Sequence, residues 1–546
     1  MEQRHPLHPL FRFGLAAFLA LYVLSVLLHL DFYPLNGDEP RRAVIAIEMR
    51  NSGNYIMPTQ LGWEYYNKPP VYNWLISAAM FLTGSESEYP VRLPSLVFLL
   101  LWGLCNYLIL RKIIPSGVAA LSSVFLVTSL DIYFWGLSNG GEIDIFYSFI
   151  VYLQVMSLFY FNQRRQYAAL YLASYFFCAI GLLTKGFPSF LFQGLTLLAL
   201  AVFNRSPRVI FRWQHLAGMA VLALIVGGYL YAYSFHSSPA RLVFNLLKES
   251  VNKSAVGEYS ERLLQKVAEY PANFLKILMP WSLLLLLLLK KKSYGFWKHP
   301  FVRFSLLFIL FNIPVYWFTG HPRMRYSYMF MPFAMVILAF IYTEARTAFP
   351  TLLQKVYKLL FIPFLLIFGL VASLPLMVKV PWGWYVFTLA AMTVYLIYYN
   401  RISRFRSWYF AGGIILARFA LAAVYLPGWY DSFQQKYDRY LYEMAASNDF
   451  GPVSIYARPD TLDLSIDLKI ARIPYDTIPA IPFLAYQIPY YYYRASRHIV
   501  TFDTILQPRR SYIGFRSALH EPGLQILYGF SDKNHNGDSV LLFRTP

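Results

Sequence analysis

Charge is scarce in this chain. Only 14% of its 546 residues are Asp, Glu, Lys or Arg, while 57% are hydrophobic and 19% aromatic, with a mean hydropathy of +0.42. Too little charge to solvate a soluble enzyme of this length excludes that class and leaves a polytopic membrane protein. Cysteine is nearly absent. Cys105 and Cys178 both fall inside apolar runs, with neither metal-ligand spacing nor a secreted disulfide pattern, so no chemistry is assigned to them. A cleavable signal is lacking too, because the first apolar run, residues 13–30, has no small-residue cleavage site and is long enough to span. It reads as a retained first helix. No internal repeat and no pair of inverted halves is visible, which argues against a transporter. His236 is a lone histidine in a long loop, without a second ligand at metal spacing.

What is abundant is the long apolar run. Runs beginning near Phe13, Pro90, Val118, Ile145, Tyr167, Phe187, Leu216, Ala272, Val302, Met324, Leu359, Trp382 and Trp408 predict about 13 spans. The heptaleucine at residues 283–289 reads as plain membrane core. The net charge of +20 does not point to nucleic acid, because much of the Lys and Arg lies in short clusters between apolar runs. Anionic membrane lipid is the better partner. Residues 71–84, "VYNWLISAAMFLTG", are too short for an ordinary span and read as a re-entrant or surface helix. With that segment non-spanning, the clusters at Arg111, Arg164, Arg205, Lys290 and Arg401 all share the side of Arg4 and Arg12. The positive-inside pattern then puts the N-terminus in the cytoplasm and the C-terminus outside.

Three outer connections are long or chemically unusual: residues 31–89, residues 236–271, and the tail after the last span. The chain is expected to divide into a transmembrane domain, 1–427, and a small soluble α/β domain, 428–546, where apolar stretches alternate with Pro, Asp and Gly. In the first loop, "GDEPRRAVIAIEMRNSG" predicts an amphipathic interfacial helix with Pro40 in its first turn and Gly53 at its end. A helix start accounts for an acidic pair such as Asp38 and Glu39 taken alone, and snorkelling accounts for a lone Lys68. Both within one loop closed by "KPP" are less ordinary.

Further charges stand at outer span ends. "GGEIDIF" carries Glu142 and Asp144 where a run begins, "LLTKGF" carries Lys185, and "GHPRMRYSYMFMPF" carries His321, Arg323, Arg325 and Tyr326. Charge at a span boundary is costly unless it is solvated or used. Cations there suit a phosphate on a lipid, and carboxylates can orient or deprotonate an incoming nucleophile.

The order "GDEPRRAVIAIEMRNSGNYIMP", "YYNKPPVYNWL", "RLPS", an aspartate in the second outer loop, "LLTKG" and "RYSYMFMPF" resembles the bacterial aminoarabinose (4-amino-4-deoxy-L-arabinose) lipid A transferase family. It is similar, more distantly, to the protein O-mannosyltransferases. The resemblance implies an all-α membrane domain of the C-type glycosyltransferase fold with a C-terminal periplasmic α/β domain, in the bacterial inner membrane. It implies a sugar donor on polyprenyl phosphate, a lipid or glycan acceptor, no nucleic acid, a monomer, and no required cofactor. By position it implies Asp38 as catalytic, with Glu39 beside it and Asp144 near. It makes Lys68 a donor-phosphate ligand, joined by Arg325, Tyr326 and Lys185, with Tyr65 and Tyr66 lining the substrate.

Three departures stand out. Arg42 replaces an aromatic residue usual after the "DE-x-R" stretch, Asn67 replaces a glutamate that can help hold a metal, and "SYMFMP" loosens a Tyr-Ile-Leu-Pro pattern. A divalent metal is therefore less expected here. The loop at 236–271 has amphipathic stretches suited either to a surface connector or to a cover over the acceptor entrance. The tyrosines of "YQIPYYYYRASR" are expected in the core of the soluble domain.

Overall fold

The computed structural model describes residues 9–136, 140–253, 260–290, 294–317, 323–399, 406–433, 435–456, 487–519, 521–531 and 539–546. His321 lies outside them. In a bilayer every backbone polar group must be satisfied within the protein, so the apolar runs become helices. Among the described residues seven helices are long and apolar enough to cross a membrane, and five more are apolar but shorter.

The chain begins with α1 (Pro9–Leu27) and α2 (Glu39–Ser52), then a hairpin of β1 (Thr59–Gln60) and β2 (Trp63–Glu64), and α3 (Val71–Thr83). Next come α4 (Glu88–Leu110), α5 (Ser116–Val127), α6 (Asp144–Gln163), α7 (Tyr167–Lys185), α8 (Pro188–Phe203) and α9 (Gln214–Ser234). The long outer loop holds α10 (Pro239–Lys253) and α11 (Ser260–Ile277). Then follow α12 (Pro300–Asn312), α13 (Met331–Ala348), α14 (Pro350–Leu359), α15 (Phe361–Ser373), α16 (Trp382–Tyr399) and α17 (Arg406–Ala420).

Burial ranks these spans. The window through Met324–Ala348 is 89% buried and that of α6 is 78% buried, whereas α9 is only 11% buried. Helices α6, α13 and the span that begins with α17, also 78% buried, are thus the most enclosed, and α9 presents apolar side chains outward. The heptaleucine is not a straight core helix: Glu269–Ile277 and Trp281–Leu289 meet at 119°, with Pro280, which lacks a backbone N–H, at the break.

The tail continues through α18 (Leu426–Phe433) and α19 (Gln435–Ala446) into β3 (Ser454–Tyr456), α20 (Gln487–Ser496), β4 (Thr501–Asp503), β5 (Ser511–Phe515), β6 (Gln525–Ser531) and β7 (Ser539–Arg544). The strands form one mixed sheet in the order β4-β3-β5-β7-β6, in which β3 runs parallel to both its neighbours and the β5-β7-β6 ribbon is antiparallel. Of the tyrosine run in α20, Tyr490, Tyr491 and Tyr492 are buried as expected, but they do more than fill a core. Tyr490 donates to the Glu86 carbonyl (2.9 Å) and the Tyr491 hydroxyl accepts from the Leu35 N–H (3.2 Å), so the helix is a joint between the tail and the first loop.

This joint corrects one expectation. Helix α2 begins with Pro40 and ends at Gly53 with φ +71°, as read from the sequence, but its polar face is not open to water. Residues from Glu39 to Met49 are buried almost throughout, because α3 packs on one side and α20 on another. The polar face that suggested a water surface meets protein instead.

Candidate active site

The first loop delivers Asp38 through a tight turn. Gly37 sits at φ +60°, where a side chain would be strained, and a Cβ there would come within 3.1 Å of Glu142 Oε1. Asp38 occupies the N-cap position of α2 but makes no side-chain cap bond. Its carboxylate faces arginines instead: Arg41 Nη2 at 3.2 Å, Arg323 Nη1 at 3.5 Å and Arg325 Nη2 at 3.9 Å. Burial alone would raise this carboxyl, but the charges of Arg41, Arg42, Arg323 and Arg325 outweigh it and hold it at about 2.

Arg325 links the first loop to the second. Its Nε lies 2.7 Å from Asp144 Oδ2 and its Nη1 pairs with Glu142. Asp144, the first residue of α6, is also held by Lys185 Nζ at 2.5 Å from the last residue of α7. The Lys185 ammonium lies 3.9 Å from the centre of the Tyr326 ring. Burial, and then the charge of Asp144, push the Glu142 carboxyl above the usual range against the pull of Arg325. Three helix ends and two loops thus deliver Asp38, Glu142, Asp144, Lys185, Arg323, Arg325 and Tyr326 to one charged cluster. Beside it opens a cavity of about 270 Å³ lined by Asp131, Glu142, Asp144, Arg323, Arg325 and Tyr328.

Other expected residues sit elsewhere. Lys68 is half-buried, with Nζ donating to the Asn67 carbonyl at 3.0 Å. Tyr65 is buried 6.0 Å beneath the Arg42 guanidinium, and Tyr66 donates to Glu64, which also accepts from Ser237 Oγ at 2.9 Å. These side chains follow the hairpin and connect it to α2 and to the loop before α10.

Glu39 does not face the cavity. Its Oε1 accepts from Arg92 Nε (3.0 Å) and the Gly141 N–H (2.7 Å), and its Oε2 from Arg92 Nη2 (2.8 Å) and the Asn36 N–H (2.9 Å). Arg92 also caps the carbonyls of Leu30, Tyr33 and Pro34 at 2.8 to 3.0 Å. With both oxygens occupied and the side chain fully buried, Glu39 ties the two outer loops together and has no reach toward a substrate.

Sequence reasoning passed over three residues. Arg92 stands in the quoted "RLPS" stretch without a role. Asp131 accepts a 2.5 Å hydrogen bond from Tyr328, and its signal was a single acid at the end of an apolar run. Glu48, buried in α2, accepts from Thr59 Oγ1 and the Leu61 N–H, both at 2.6 Å, and from the Gly62 N–H at 3.3 Å. Among the described residues no group of three or more His, Cys, Asp or Glu could hold a metal ion.

Residues 67–230 match the family of dolichyl-phosphate-mannose-protein mannosyltransferases. A stretch of 215 residues, 39% of this chain, is 29% identical to the undecaprenyl phosphate-alpha-4-amino-4-deoxy-L-arabinose arabinosyl transferase of Pseudomonas paraeruginosa and covers 37% of that protein's length. The Shewanella sediminis protein of the same name is 27% identical over 302 residues, 54% of this chain and 52% of its own length. In three dimensions the crystal structure of ArnT from Cupriavidus metallidurans bound to undecaprenyl phosphate superposes with a TM-score of 0.68 over 97% of this chain and 98% of that one, at 15% identity. The chain is thus similar in sequence, over its motif-bearing part, to the bacterial aminoarabinose transferases, spans about half or less of their length in those matches, and shares its fold over nearly its whole length with the ArnT crystal structure.

Proposed function

We propose that the protein is an integral-membrane glycosyltransferase that moves a sugar from a polyprenyl phosphate to a lipid acceptor such as lipid A, or to another cell-envelope glycan, with inversion. The observation that carries this reading is the linked set Asp38–Arg325–Asp144–Lys185 beside an open polar cavity. The undecaprenyl phosphate bound by the structural relative supports the donor class. The reaction is taken to face the periplasm from the bacterial inner membrane, with about 13 crossings, a cytoplasmic N-terminus and a periplasmic domain from residue 428 onward.

The acceptor oxygen attacks the anomeric carbon, the bond from that carbon to the phosphate oxygen breaks, and its electron pair leaves with the lipid phosphate. Charge developing on that phosphate needs nearby cations, a role given to Arg325 in the cluster and to Lys68 reaching in from the end of the first loop. Asp38 is ionised at every physiological pH, so it orients the acceptor and takes its proton only as attack makes that proton acidic. Asp144 holds Arg325 and Lys185 in position. A phosphate acceptor is already ionised and needs only the orientation. Tyr65, Tyr66 and Tyr326 line the donor side.

Purified protein in detergent, offered a panel of polyprenyl-phosphate sugars and membrane acceptors, tests the assignment. Wild type is expected to turn over at least one pair, with losses of about 100-fold or more in Asp38→Asn, Asp144→Asn and Lys68→Ala. Undiminished turnover in all three would sink it. A second reading, transfer of a mannose-type hexose to protein, is favoured by the family matching residues 67–230, and protein acceptors in the same panel separate the two.

A further inference from the structure

Arg42 adds its charge to the field on Asp38 but makes no ion pair with it. Asp38 takes Arg41, Arg323 and Arg325 as its ion-pair partners, which leaves the next arginine over. Arg42 is only 3% exposed, yet its Nε and Nη1 have no hydrogen-bond partner among the described residues. The Tyr65 hydroxyl, buried beneath the same guanidinium, has none either. Buried donors are normally paired, and leaving two of the nitrogens of a buried guanidinium without partners is unfavourable. Two such groups side by side, in the first turn of α2 next to Asp38, mark the place of a ligand's acceptor atoms. A planar fork of N–H donors fits two oxygens of one anionic group, and a phenol adds a third donor.

We propose that Arg42 and the Tyr65 hydroxyl together hold an oxyanion of the donor, either its lipid phosphate or an acidic group on its sugar. The inference rests on the glycosyltransferase reading above and adds the charge preference of the site. Where the oxyanion belongs to the sugar, an ammonium at this point would be repelled by Arg42, and the site then favours an acidic sugar over an amino sugar.

The test compares wild type with Arg42→Gln, Arg42→Lys and Tyr65→Phe, using undecaprenyl phosphate alone for binding and undecaprenyl-phosphate donors bearing a uronic acid, a neutral hexose or an aminopentose for turnover. A fall of about tenfold or more in affinity for undecaprenyl phosphate in Arg42→Gln, partly recovered in Arg42→Lys, assigns the oxyanion to the lipid phosphate. Unchanged lipid-phosphate affinity, with a loss of about tenfold in kcat/KM for the uronic-acid donor alone, assigns it to the sugar. Should Arg42→Gln fail to fold, Tyr65→Phe keeps the ring and is read by the same affinities and donor ranking. Identical affinity and ranking in the variants and wild type overturn the proposal, and a lower melting temperature alone makes Arg42 structural. A wild type that prefers the aminopentose donor, with undecaprenyl phosphate affinity unchanged in Arg42→Gln, also overturns it. A wild type that neither binds undecaprenyl phosphate nor uses any donor sinks the broader reading instead.

Discussion

Asp38 and Glu39 are neighbours in sequence and opposites in circumstance. Asp38 ends among arginines, two of which line a cavity, while Glu39 is sealed against Arg92 with both oxygens occupied. Breaking a buried pair by removing one charge leaves the other unpaired, so Glu39→Gln should cost about 3 kcal/mol or more. In detergent that reads as a lower melting temperature, with turnover per folded molecule retained; a normal melting temperature with lost turnover would return Glu39 to catalysis. The pH behaviour of Asp38 follows from the direction of its shift. A carboxyl lowered from 3.8 to about 2 contributes stability that is complete above its unfolded value and is lost as pH falls through about 2. A pH–rate profile should therefore have no acidic limb from Asp38 between pH 4 and pH 7, a window bounded by that shift. The sequence alone marked "DE" as a helix start plus something more. It could not say which acid was which, because the difference lies in Arg92 and Arg325, which come from segments far along the chain.

At the scale of elements, the hairpin β1–β2 depends on Glu48. Two backbone N–H groups and a threonine hydroxyl point at one buried carboxylate, and burial pushes that carboxyl up to about 7 against those same bonds. A raised folded value means stability that is present below the ordinary 4.5 and is lost as pH rises through about 7. Wild type should accordingly lose thermal stability between pH 5 and pH 8, and Glu48→Gln should flatten that dependence. Glu48→Ala strands the Leu61 N–H and should destabilise by about 2 kcal/mol, measured by unfolding in detergent. The hairpin leads directly into Tyr65, Tyr66 and Lys68, so the same variant should raise KM for the donor more than it lowers kcat. Glu48 was invisible to periodicity, since a glutamate one turn from the end of an amphipathic helix reads as solvated until the covering elements are known.

At the scale of the molecule, the C-terminal domain grips the first loop at three places. Gln487 donates to the Leu35 carbonyl (2.6 Å), three residues before Asp38. Trp63 Nε1 donates to the Phe502 carbonyl (3.0 Å) at the hairpin. Arg494 pairs with both oxygens of the buried Glu88 at 2.7 and 2.8 Å, and Arg497 holds Glu86 at 2.7 Å. Arg494→Ala should cost about 2 kcal/mol, discounted for the partial exposure of that arginine, and should speed proteolysis of the tail. Topology is checked by cysteine labelling: Asn51→Cys should react from outside and Arg164→Cys only from inside, and the reverse would refute the non-spanning reading of Val71–Thr83.

Composition and the spacing of apolar runs determined by themselves that this chain lives in a membrane, because hydrophobic content and segment length are properties of the chain alone. The order of local motifs likewise carried the family resemblance. Tertiary structure decided the rest: that α2 is buried, that Glu39 ties loops while Asp38 meets arginines that line the cavity, and that Arg42 is left with unpaired donors. Each of these depends on which distant charge arrives within a few ångströms of another, and in a low-dielectric interior that distance governs both the sign and the size of the effect.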